Sequence, residues 1–97
     1  MSRSLLERRL SELSERLKEL RGDLVVTDEQ LAHLAELADD ARLRALVSET
    51  PIADREHQEA QRHADAMSKH RAAVTEEIAA LETAQDELLD RLVAESK

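Results

Sequence analysis

No cysteine, phenylalanine, tyrosine or tryptophan occurs in the chain, and there is a single glycine and a single proline. The missing cysteines exclude a disulfide framework, a thiolate nucleophile and a zinc knuckle. The missing aromatics remove the side chains that usually dominate a globular core. With so little glycine and proline, and so much Ala, Leu, Glu and Arg, the composition matches long helices rather than any β architecture. Long apolar runs and a signal peptide are also absent, so the expected location is cytoplasmic. Positive charge is scarce: 14 Lys and Arg stand against 22 Asp and Glu, for a net charge of −8. Nucleic acids and anionic membranes are held by clustered cations, so the expected partner is a protein, with no nucleic acid and no membrane. Arginine far outnumbers lysine and alanine is frequent, a compositional association with high-GC bacterial genomes.

What the 97 residues do contain is a heptad. Leu6, Leu10, Leu13, Leu17, Leu20 and Leu24 follow one another at alternating spacings of four and three, the rhythm of a coiled-coil seam. It continues in phase through Thr27, Leu31, Leu34, Ala38, Ala41, Ala45 and Ser48. The second half repeats it with Ala53, His57, Ala60, Ala64, Met67, Arg71, Val74, Ile78, Leu81, Gln85, Leu88 and Leu92. Between the halves Ser48 or Thr50 can cap a second helix, and Pro51 suits its first turn. The pattern predicts an all-α fold, a long antiparallel two-helix coiled-coil hairpin forming a single domain over 1–97. Helix 1 covers about 3–47, the turn about 48–50 and helix 2 about 51–95.

Two interruptions compete with an unbroken first helix. Gly22 can end a helix, after which Thr27 and Gln30 form a capping box with Val26 and Leu31 as its hydrophobic staple. Asp39 or Asp40 can cap a short helix over the tip. Continuity is favoured because a separate second helix has no reason to keep the heptad phase of the first.

Folding the chain back at Glu49 pairs seam positions whose numbers sum to 98: Leu6 with Leu92, Leu20 with Ile78, Leu24 with Val74, Ala45 with Ala53. This register places Arg16 by Glu77, Arg21 by Glu82, Arg42 by Asp54 and Arg44 by Glu56, as exposed pairs that tune alignment. The polar seam residues Thr27, Arg71 and Gln85 then specify register, as single polar core residues do in coiled coils, with Asp23 or Asp28 neutralising Arg71. A ligand or partner contact at Arg71 is the competing reading.

One seam covers each leucine only in part, so the hairpin is expected to pair its outer faces with a second copy in a four-helix-bundle homodimer. The candidate contacts are Val25, Val26, Leu43, Leu46, Val47 and Ile52, which point away from the seam, and the heptad-spaced Ala66, Ala73 and Ala80. Alanine also recurs simply because it favours helix. Acidic residues gather at the tip as Asp39, Asp40, Glu49, Asp54 and Glu56. Glu59 and His63 have the i, i+4 spacing of a metal-binding pair, but no second pair faces them and no metal or other cofactor is expected. His33, His57 and His70 read as helix-surface or half-buried histidines. No phosphate loop, nucleophile elbow or metalloprotease helix occurs, so no catalytic residue is assigned and a non-enzymatic protein–protein interaction module, regulatory in one reading, is expected.

An antiparallel coiled coil with an acidic tip resembles, in architecture, the arm that Gre and DksA-type transcription factors insert into RNA polymerase. The chain lacks the globular or zinc-binding second domain of those families. It also resembles in outline two-helix anti-sigma factors that bind a cyclic dinucleotide, without their repeated ligand-binding motif. The first resemblance implies a regulator of RNA polymerase or a sigma factor acting through the tip.

Overall fold

The structure, a computed structural model, describes residues 2–96. It is all-helical, a hairpin of α1 (Arg3–Ser48) and α2 (Pro51–Glu95). The N-terminus of α1 is capped by Ser2, whose Oγ accepts from the Leu5 N–H at 3.2 Å and whose carbonyl accepts from the Leu6 N–H at 3.0 Å. At its other end the Glu49 N–H donates to the Ala45 carbonyl at 3.1 Å while Glu49 takes a left-handed φ of 52°. That is the αL closing motif, occupied here by a residue other than glycine. Thr50 is the cap of α2: its Oγ1 accepts from the Ala53 N–H at 3.2 Å, and Pro51 fills the first helical position. Ser48 therefore ends α1 and does not cap α2.

Helix α1 runs unbroken through Gly22 and through Asp39 and Asp40. The capping box at Thr27 is not used. Thr27 is 3% exposed on the seam, because an uninterrupted heptad buries its position on the same face as the leucines before and after it. For the same reason Asp39 and Asp40 lie mid-helix and exposed.

Every seam position from Leu6 to Ala45 and from Ala53 to Leu92 is buried or half-buried, and among the other described residues only Thr75 and Ala84 are covered to that degree. Ser48 departs from the expected pattern: as the last residue of α1 it is exposed.

The hairpin comprises two compact units. In the unit that takes α1 up to Leu24 and α2 from Val74, Leu17, Leu20, Val74 and Ile78 form a buried cluster flanked by Leu24 and Leu81. These are three consecutive layers of the register read from the sequence. Burying a leucine is worth about 1.5–3 kcal/mol, and Leu6, Leu17 and Leu20 are almost completely enclosed. The second unit, Val25–Ala73, has a thinner seam. Its buried apolar residues are Ala38, Ala41, Ala45, Ala53 and Ala64, with Leu31, Leu34, His57, Ala60 and Met67 half-buried.

The edges of the seam follow the expected register in the first unit. Arg16 lies 3.1 Å from Glu77, and Arg21 lies 3.8 Å from Glu82. In the second unit one expected bridge is replaced and one is not formed among the described residues. Arg42 approaches Asp39 on its own helix, at 3.8 Å, rather than Asp54, since an i, i+3 neighbour is in reach without crossing to α2. Arg44 and Glu56 flank one groove but make no ion pair among the described residues.

Candidate interaction surface

Helical periodicity places the large apolar residues near the turn on the outside. Leu43, Leu46 and Val47 are spaced i, i+3, i+4, so their side chains share one face of the last turns of α1. Ile52 follows across the turn, in the first turn of α2. Leu46 is 65% exposed, Val47 86% and Ile52 68%, and Leu43 is also more than half exposed. The seam at the same level contains only alanines and the half-buried His57. At this end of the hairpin the small apolar side chains are inside and the large ones are in water, the reverse of the usual distribution.

Acidic groups are frequent at the same end of the hairpin. Asp39, Asp40, Glu49, Asp54 and Glu56 are all exposed. Residues 36–59 carry seven acidic and three basic side chains, whereas the rest of the Val25–Ala73 unit carries three of each. The excess negative charge of this unit is thus confined to its turn end.

The other expected contact residues are also exposed. Val25 and Val26 stand out from α1 and Ala66 and Ala73 from α2 within the same unit; Ala80 is exposed in the other. Leu37, which the reading of the sequence did not single out, is 43% exposed beside the seam. With Leu34, Ala41 and Ala60 it floors an open groove of about 370 Å³ rimmed by Arg44, Glu56, Glu59 and His63. The signal was available: Leu37 directly precedes a seam alanine, too small to screen its neighbour.

A second open groove, about 680 Å³, lies along the seam edge of the other unit. Leu13, Leu88 and Ala84 form its floor, and Arg9, Arg16 and Arg91 stand beside Glu12 and Glu87 around it. It opens because Ala84 occupies an edge position where Glu77 and Arg91, one heptad to either side, carry long side chains. Hydrogen bonds to Glu77 first, and to Glu19 second, raise the pKa of Arg16 above its ordinary value.

The polar seam residues all find partners or cover. Arg71 donates from Nε to the Asp28 carboxylate, choosing Asp28 over Asp23. Gln85 donates from Nε2 to Ser14 Oγ at 3.2 Å. No buried side-chain nitrogen or oxygen is left without a partner among the described residues. The histidines stay apart in function: His57 is half-buried on the seam, His63 stands on a groove rim, and His33 and His70 are exposed. Among the described residues no three His, Asp or Glu side chains are grouped to hold a metal ion. No helix is long and apolar enough to cross a membrane. No known protein family, no curated protein and no solved structure matches this chain.

Proposed function

We propose that the chain is a non-enzymatic protein–protein interaction module whose seam holds the hairpin together and whose outer faces make the contacts. The observation that carries this reading is the inverted apolar distribution near the turn, with alanines in the seam and Leu43, Leu46, Val47 and Ile52 in solvent. Exposing several large apolar side chains together is costly unless a partner covers them. The exposed Val25, Val26, Ala66 and Ala73 of one unit, and separately Ala80 of the other, are the outer-face residues through which a second copy self-associates, since small residues let helices approach closely. Sedimentation equilibrium of the purified chain tests that part. Dimers that dissociate when Ala73→Glu is introduced support it, and a strictly monomeric, fully helical, heat-stable chain removes it.

A second reading, control of RNA polymerase or a sigma factor through the tip, is supported by the exposure of its five carboxylates. Capture of polymerase or sigma factors by the wild type and by a variant with Asp39, Asp40 and Asp54 changed to Ala separates the two. Undiminished capture takes the tip out of that mechanism.

A further inference from the structure

We propose that the patch of Leu43, Leu46, Val47 and Ile52 docks a basic amphipathic helix supplied by a different protein. The inference rests on the interaction-module reading and names the chemistry of the partner at the turn end. Three side chains at i, i+3 and i+4 on one helix face, extended by Ile52 beyond the turn, offer the short apolar strip that a partner helix covers with its own anchors. Helix geometry puts Asp39 and Asp40 on the same face as Leu43, four and three residues before it, with Glu36 a full heptad before it. Asp40 and Glu36 enter no ion pair among the described residues, and Asp39 meets only Arg42, at 3.8 Å. A helix that lays leucines on the patch and carries Lys or Arg one turn further along meets these carboxylates directly.

The same charges argue against the other occupants. An isologous contact brings the same patch of both copies together, so a second copy on the tip would juxtapose two segments that each carry seven acidic against three basic side chains, a net repulsion. An anionic bilayer meets the same repulsion. Within the Val25–Ala73 unit the excess acid is confined to the turn end, beside the apolar patch; the other unit carries its own excess, 12 acidic against eight basic side chains, without such a cluster of exposed large apolar residues at a turn.

The test uses the full chain and three synthetic helical peptides of equal length. One has a leucine stripe flanked by lysines, one the same composition scrambled, and one glutamate in place of lysine. Binding is followed by fluorescence anisotropy of labelled peptide and by amide chemical shifts of the chain. The striped basic peptide is expected to bind at least about tenfold tighter than either control and to shift amides between residues 39 and 52. The double change Leu46→Ser, Val47→Ser should weaken it about tenfold, the loss typical of one good anchor. Asp39→Asn with Asp40→Asn should weaken it and flatten its salt dependence. Val93→Ser, at an exposed valine of the other unit, should leave it unchanged. Equal binding of striped and scrambled peptides, or shifts centred elsewhere, overturn the proposal. So does a dimer that becomes monomeric on Leu46→Ser, Val47→Ser: a second copy then covers the tip, and the interaction-module reading survives. Adsorption of the chain to phosphatidylglycerol vesicles that depends on Leu46 and Val47 also overturns it.

Discussion

Arg71 of α2 donates from Nε to the carboxylate of Asp28 on α1, next in sequence to the buried Thr27. The guanidinium that the heptad places on the seam is thereby neutralised across the hairpin. Both side chains keep about half their exposure, so the pair aligns the helices more than it stabilises them. Arg71→Leu, which replaces a half-buried cation with an apolar seam residue, is expected to leave stability unchanged or raised by up to about 2 kcal/mol. A double-mutant cycle with Asp28→Ala, read by urea denaturation, should give a coupling of about 0.5–1 kcal/mol. A coupling near zero would show that the pair contributes nothing to stability.

Gly22 lies in an unbroken helix, and an added Cβ would meet no atom within 4 Å. Gly22→Ala should therefore stabilise the chain by about 1 kcal/mol through helix propensity and a less flexible unfolded state. Thermal melts followed by circular dichroism decide it, and a lower midpoint would contradict a helix that is continuous at this point.

The turn is governed by Glu49 and Thr50. Because Glu49 holds a φ of 52°, Glu49→Gly is expected to stabilise by about 0.5–1 kcal/mol, and a β-branched residue there to destabilise. Thr50→Ala removes the oxygen that accepts from the Ala53 N–H and should cost about 1 kcal/mol. Denaturation midpoints of Glu49→Gly, Glu49→Val and Thr50→Ala give the order directly.

Leucine in the seam and leucine outside it should behave oppositely. Leu17→Ala empties a site that is 1% exposed and should cost about 2–5 kcal/mol. Leu46→Ser and Val47→Ser alter side chains already in water and should change stability by no more than about 0.5 kcal/mol. Chemical denaturation checks the contrast; a large loss at Leu46 would mean that the patch is covered within the folded chain or by a second copy.

The heptad alone determined the hairpin, its register and the face of each helix that is buried. It could do so because a strict period across both halves leaves one face to bury, and keeping that phase through Thr27, Asp39 and Asp40 leaves the turn at Glu49 and Thr50 to align the two seams. Tertiary structure decided matters that hinge on distance rather than period. It chose Asp28 over Asp23 for Arg71 and Asp39 over Asp54 for Arg42, since several partners share a face and only the spacing between helices selects among them. It also opened the grooves at Ala84 and beside Leu37, which depend on side-chain length at the seam edge. The outer patch of Leu43, Leu46, Val47 and Ile52 was visible in the sequence as residues out of phase with the seam. That they stay exposed among the described residues is what the three-dimensional arrangement added, because only burial distinguishes an apolar side chain packed locally from one left for a partner.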